Sequence, residues 1–552
     1  MLNGIRRIAA AALALGLSAA AAAAPPPAPR LVVVISIDQF SAGLFDQYRS
    51  TFTGGLKQLA SGVVYPNGYQ SHAATETCPG HSTLLTGHHP AATGIIANNW
   101  YDPEVGSQVY CVYDPAGPVP GRETAPRGPA NLKVPTLGEW MKAADPHSRV
   151  YAVSGKDRAA IMMAGHNPDG VFWWDDERAF TTSVPAGTTA DARLAPVAAF
   201  NAALIKRWRV TPPAWKPIDK RCVVGGTDTF GTLAIKHTLP PQGYEGSWND
   251  PANLKYLRAS PAFDQITLDL ATQFLDHFKL GRGAAPDLLA VSLSATDYVG
   301  HRYGQGGPEM CDQLAHLDRA LGVFLARLTA LKVPVVVVLS ADHGGSDAPE
   351  RAAQRGFAAT RPVGNIVDEV GRAIQAEFHL DYVPLAGDPE QINIVGFGSP
   401  DAALNARIQA ATIKRLRARP DVVAVFTRAE AMAAVPRPGT PVDELSLLER
   451  FHESTDAVRS GDILVAYRPY TTSGSPSAYG DTVGGHGSPW NYDRRVPMLF
   501  WWPGASGFEQ SLPVETVDIA PTLAGLLHIP APQVDGRCLD LDRGAATTCP
   551  AP

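Results

Sequence analysis

Three uninterrupted apolar runs, each closing on an aspartate, constrain this chain more than any other feature. LVVVISI leads into Asp38, DLLAVSLSAT into Asp297 and PVVVVLSA into Asp342. A strand that is apolar on both faces has to be covered on both. That is the condition of a central strand in a parallel sheet flanked by helices. In open α/β sheets the ligand crevice lies beyond the carboxyl ends of the strands, and all three carboxylates fall there. Taken alone, Asp38 would read as a cap on the following helix.

The remaining periodicity fits the same α/β class. Helices are predicted over 54–60, 135–144, 310–328 and 518–527, and strands over 63–69, 149–154 and 496–502. Met310, Leu314, Leu317, Leu321, Phe324, Leu325 and Leu328 keep a helical period, so His316 among them reads as structural. Two regions lose the pattern and are expected to be insertions on one catalytic domain. The first, near 167–286, is rich in Trp, Pro and Gly and reads as loops with one amphipathic helix near 199–208. The second, near 348–481, reads as short helices and strands of a cap. A chain of 552 residues can bury a core of that size.

The formal charge of −6 offers no basic footprint for a nucleic acid polymer. Arg6 and Arg7 precede an apolar run and an Ala-rich tract, so residues 1–24 read as a signal peptide, with 25–552 exported to the periplasm or secreted. No later stretch is long and apolar enough to read as a membrane span. Of the six cysteines, Cys538 and Cys549 are the expected pair, closing a loop-rich C-terminus; the others are left unpaired by sequence.

Chemistry-bearing residues gather around these strand ends. Thr77 opens the stretch TCPGHSTLL, where its hydroxyl either caps a helix or lies over an anion-attracting helix start as a nucleophile. Lys156 and Arg158 follow the strand 149–154, either as solvated turn residues or as ligand contacts. His301 lies four residues after Asp297, His343 follows Asp342, and His486 sits in GGHG. The adjacent His88 and His89 read as surface or supporting residues, because loop neighbours rarely face one ion. Asp38, Thr77, Asp297 and Asp342 offer oxygen, and His301, His343 and His486 offer imidazole nitrogen. Such a mixed set suits two zinc ions, which can hold the attacking and leaving oxygens of an in-line displacement.

Through ISID, TETCPGH, SxxDxxGH, SADHGG, GGHG and VDIAPTLAGLL the chain resembles the alkaline phosphatase superfamily over nearly its whole mature length. The resemblance implies that one zinc takes Asp297, His301 and His486, and the other Asp38, Thr77, Asp342 and His343. A Thr nucleophile followed by an Asn some twenty residues later is similar to two branches, the nucleotide pyrophosphatase/phosphodiesterases and the phosphate-irrepressible monoesterases. It gives Asn98 the role of an amide donor to a phosphoryl oxygen, and the K-x-R of Lys156 and Arg158 resembles the monoesterase branch. The Ser nucleophile and third magnesium site of better-known alkaline phosphatases have no match, and the sulfatase pattern C-x-P-x-R fails after Cys78.

The expectation is an exported two-zinc phosphatase acting on small phosphate monoesters through a phosphothreonine, with side activity on diesters. A phosphodiesterase of the same superfamily is the alternative, and a metal-stabilised phosphate-binding protein without turnover is a third reading.

Overall fold

Adjacent Val33 and Val34 go to opposite faces of their strand and join two different apolar clusters, as the pleat requires. The computed structural model describes residues 28–549 except 240–246, 248, 363, 397–400, 473–475, 477–481, 506 and 543–547. The leader read over 1–24 lies outside the described residues. In chain order the strands of the main sheet are β1 (Leu31–Ile37), β2 (Val63–Tyr69), β3 (Arg149–Ser154), β4 (Gly170–Asp175), β5 (Ala179–Thr181), β6 (Asp287–Leu293), β7 (Val335–Ser340), β8 (Arg495–Trp501) and β9 (Val514–Glu515). They hydrogen-bond in the order β9-β2-β8-β7-β1-β6-β3-β4-β5. The run from β7 to β4 is parallel throughout, while β8 is antiparallel to both its neighbours.

Every residue of β1, β6 and β7 is buried, so the apolar runs are the middle of the sheet. Near their carboxyl ends the register sets four serines in one row: Ser340 beside Ser36, Ser36 beside Ser292, and Ser292 beside Ser154. Helices cover both faces. Pro261–His277 and Pro308–Ala330 contribute Phe263, Leu270, Leu314 and Leu321 to one cluster. Thr77–Thr86 and Ile519–Leu527 contribute Leu84, Leu85, Leu523 and Ala524 to the other.

The region near 167–286 is less loop-like than its composition suggests. It supplies β4 and β5 to the main sheet, and its amphipathic helix runs over Ala190–Val210 rather than 199–208. The strand GVFWWD hid because it is buried on both faces: Trp173 packs into one cluster and Trp174 into the other. The region near 348–481 holds an antiparallel sheet of Leu385–Asp388, Gln391–Ile394, Ile463–Tyr467 and Val422–Thr427. Helices Ile366–Phe378 and Ala402–Arg417 close over it, with Ile374, Ile408 and Leu416 in a cluster of their own. Cys538 pairs with Cys549 as expected, and Cys78–Cys111 and Cys222–Cys311 complete the set. Among the described residues no helix is long and apolar enough to cross a membrane.

Candidate functional site

The parallel strands deliver their polar ends to one place. Asp38 follows β1 directly, Asp342 lies two residues beyond β7, and Lys156 two beyond β3. Three helices add the rest: α1 (Thr77–Thr86), α2 (Asp157–Ala164) and α3 (Ala295–Tyr303). Asp297 lies in the first turn of α3 and His301 one turn on, which puts His301 Nε2 3.2 Å from Asp297 Oδ1. Such stacking is what the i, i+4 spacing of a helix provides. His486, from the loop before β8, reaches the same carboxylate oxygen at 3.5 Å.

The imidazoles are fixed by one device used three times. Nδ1 of His301 lies 3.1 Å from the Gly484 carbonyl, Nδ1 of His343 is 2.8 Å from that of Gly344, and Nδ1 of His486 is 2.9 Å from that of Thr75. A carbonyl can only accept, so each Nδ1 carries a proton, and in the neutral ring Nε2 is left with a lone pair. Those Nε2 atoms point at carboxylates: that of His343 is 3.5 Å from Asp38 and 3.4 Å from Asp342. Asp38 is fully buried, and neither of its oxygens accepts a hydrogen bond in good geometry, although Lys156 Nζ lies 2.6 Å from Oδ2. Burial and the neighbouring Asp342 push the Asp38 carboxyl well above the usual range. Imidazole lone pairs that converge on a group of carboxylates fit cations. Asp297, His301 and His486 form one compact group, and Asp38, Asp297 and His343 another.

Thr77 is the first residue of α1, and Glu76 holds the N-cap position without a side-chain cap bond. The capping role open to Thr77 in the sequence is therefore not the one it fills. Its hydroxyl is almost wholly buried, and Lys156 Nζ and Arg158 Nη2 each stand 3.4 Å from Oγ1. Lys156 also bridges Asp38 and Asp297, 2.6 Å from each. Burial would drive its proton off, but the two carboxylates outweigh that and hold it charged. Asn98 is held by side chain and backbone together: its Oδ1 accepts from Cys78 N at 2.9 Å, and its own N donates to Glu76 at 2.6 Å. The donating end of its side-chain amide is left for a ligand.

Several residues that build the site were not singled out in the sequence. Gln39 donates through Nε2 to Asp297 at 2.7 Å and through its backbone N to Asp342 at 3.2 Å, so one residue braces both groups. It does so with φ of 65°, a left-handed backbone unusual for a side chain with Cβ. His81, one turn along α1, lies 2.9 Å from the Thr77 carbonyl and 3.1 Å from Asp342. Tyr110 donates to Asp157 at 2.6 Å and accepts from Arg158 Nη1 at 3.3 Å. The Cys78–Cys111 bridge joins the residues that follow Thr77 and Tyr110. A Cβ on Gly80 would meet the Asp342 carbonyl at 1.9 Å, so only glycine lets α1 approach this closely. The one available signal was adjacency: Gln39 follows Asp38 and His81 stands in TCPGH.

The other expected residues fall elsewhere. His316 lies 2.9 Å from the Lys216 carbonyl and 3.3 Å from Asp312, a structural position. His88 and His89 sit beyond the far end of α1.

The model of the type I phosphodiesterase / nucleotide pyrophosphatase family matches residues 32–489. Alkaline phosphatase PhoD of Zymomonas mobilis is 45% identical, over 94% of this chain and 89% of its own length. The solved structure of alkaline phosphatase PafA superposes with a TM-score of 0.80 at 27% identity, covering 94% of this chain and 100% of that one. A PafA mutant with replacements at a threonine, an asparagine, a lysine and an arginine superposes with a TM-score of 0.79 at 26% identity, over 94% of this chain and 99% of that one.

Proposed function

The chain belongs to the type I phosphodiesterase / nucleotide pyrophosphatase family, in its PafA-like alkaline phosphatase branch, and on that premise we propose that it hydrolyses phosphate monoesters through a phosphothreonine formed at Thr77. It is a phosphoric ester hydrolase; the ester class, the nucleophile and the metals are the proposal. Membership also removes the reading of a phosphate-binding protein without turnover.

The observation that carries the proposal is the pair of cations 3.4 Å from Thr77 Oγ1. Phosphorus bonded to that oxygen brings its non-bridging oxygens within reach of both Lys156 and Arg158. A monoester has one more anionic oxygen than a diester to place there. In the PafA mutant the replaced threonine and asparagine stand as far apart as Thr77 and Asn98 do here, and the replaced lysine and arginine as far apart as Lys156 and Arg158, which supports the same four roles. Thr77 Oγ bonds to phosphorus as the bond to the alcohol oxygen breaks and the alcohol leaves with a proton. Water then cleaves the phosphothreonine, releasing phosphate and restoring the hydroxyl. Asn98 holds one non-bridging oxygen through both steps. Two zinc ions, one on Asp297, His301 and His486 and one on Asp38, Thr77, Asp342 and His343, would acidify the hydroxyl and stabilise the charge that develops on the oxygens.

We also place the enzyme outside the cytoplasm, in the periplasm or secreted, because all six cysteines are paired and such pairing belongs to oxidising compartments. The diesterase reading has one observation in its favour. A cleft running from Glu76 and His486 past Trp100, Tyr101 and Tyr467 has room for a second organic group. Comparing kcat/KM of the zinc-loaded enzyme on an aryl phosphate and on a bis-aryl phosphate separates the two. The monoester is expected to lead by at least ~10², and a lead for the diester would overturn the assignment.

A further inference from the structure

His89, which the phosphatase chemistry leaves unused, lies just past the C-cap Gly87 of α1, about 15 Å from Thr77 along a ten-residue helix. Three carboxylates from distant parts of the chain close on its ring. Nδ1 is 3.9 Å from Glu453 and 3.8 Å from Asp535, and Nε2 is 3.4 Å from Glu515. One donor atom from each of His89, Glu453 and Glu515 can be chosen so that all lie within 4.8 Å of one another.

The cluster is short of partners. Glu453 is only 6% exposed, yet its Oε2 accepts no hydrogen bond in good geometry, and the buried His89 Nε2 has only the 3.4 Å approach of Glu515. The Ser71 hydroxyl lies against both glutamates and lowers both pKa values, without reaching good hydrogen-bond geometry to either. Buried polar atoms are almost always satisfied, so several orphans in one place call for a missing group. Charge points the same way. Arg494, fully buried beside the cluster, spends its donors on the Ser71 and Val442 carbonyls and on Asn491. Arg537 is mostly exposed and turned to Asp518. Three carboxyls meet a single buried guanidinium there, with His88 3.1 Å from Asp535 and the exposed Arg537 at the rim.

We propose that His89, Glu453 and Glu515 bind a zinc ion, with Asp535 at its outer edge. An imidazole with two carboxylates is the mixed N and O set that zinc accepts in four-coordinate sites. Calcium and magnesium ask for six or more oxygens. The ion would tie the loop after α1 to Glu453 beside the small lobe and to β9 at the sheet edge, a structural role apart from the catalytic centre.

The test is zinc content per chain of the full-length, zinc-equilibrated protein, compared among wild type, His89→Ala and Glu453→Gln. Each variant is expected to hold one zinc fewer than wild type, with turnover of an aryl phosphate within about twofold. Because the readout is a difference, it does not depend on how many ions the catalytic centre takes. Anomalous diffraction from wild-type crystals at the zinc edge should also show a peak between His89 and Glu453, which decides the matter if a variant fails to fold. Equal zinc in all three proteins, or no such peak, overturns the proposal. The cluster would then be held by a proton: burial lowers the His89 pKa, but Glu453, Glu515 and Asp535 outweigh it and bring it to about 10.

Discussion

The Nε2 atoms of His301 and His486 face one another at 3.2 Å, although each ring has already committed its Nδ1 proton to a backbone carbonyl. Two lone pairs at that separation repel unless a proton or a metal cation lies between or beside them, and a metal is the reading that fits Asp297 and the phosphatase chemistry. Stripping the enzyme with a chelator is therefore expected to abolish turnover. Two equivalents of zinc at this centre should restore it, and magnesium alone should not. Full activity after verified removal of metal would overturn the two-zinc reading.

Thr77→Ala deletes the nucleophile and leaves six of the seven proposed ligand residues. Turnover should fall by several orders of magnitude while zinc at the centre is retained. Quenching wild type in acid during turnover of a labelled substrate should leave label on the peptide containing Thr77. Label on Ser82 instead would show the nucleophile to be misassigned.

Replacing Lys156 and Arg158 together by alanine removes both cations from Thr77. One donor of this kind is worth ~3 kcal/mol, so monoester kcat/KM should drop by at least ~10³ once non-additivity is allowed for. Diester hydrolysis should fall much less. An equal loss on both substrates would mean that the pair serves the frame of the site, as Lys156 already does by bridging Asp38 and Asp297.

Gln39→Ala cuts the side-chain bond to Asp297 and leaves a methyl group at a positive φ. Loss of such a supporting bond lowers metal affinity or activity by roughly 10–100-fold. Gln39→Gly should show the same loss in a zinc titration but melt higher than Gln39→Ala, since glycine adopts that backbone without strain. Unchanged zinc affinity in both variants would rule out a bracing role.

Asp264 accepts from Ala295 N at the start of α3 and from Gln313, and burial nevertheless raises its pKa to about 7. Below that value the folded protein keeps a proton that the unfolded chain releases near 4, so the folded state binds more protons in between. Stability should fall as pH rises from about 4 to about 7. In Asp264→Asn this part of the pH dependence should vanish, with the Gln313 amide turned so that its unpaired Oε1 accepts. Denaturant midpoints measured across that range check it, and parallel curves for the two proteins would show that Asp264 does not titrate there.

The sheet was legible wherever a single strand carried its own pattern. β1, β6 and β7 are apolar on both faces, and their aspartates follow within a few residues. β4 was missed because two tryptophans on opposite faces look, in sequence, like any aromatic-rich loop. In the site, the ends of strands could be read, but not what braces them. Gln39 meets Asp297 across 258 positions and Asp342 across 303, and Tyr110 meets Arg158 across 48. No local pattern encodes such pairings. The role of Thr77 was left open for a related reason: an N-cap and the residue after it look alike until the helix start is placed.

The row Ser340, Ser36, Ser292 and Ser154 gives the crevice a floor of even height. Ser292 is spanned by the His81 ring, whose Nε2 lies 2.9 Å from its hydroxyl, while Ser36 and Ser340 have hydroxyls that bond to nothing. These two are kept small rather than polar. A valine at either position would satisfy the strand and still act as a shim under the aspartates and under α1, which Gly80 already holds against the Asp342 carbonyl. Enlarging Ser36 or Ser340 is therefore expected to disturb the centre from a layer beneath it.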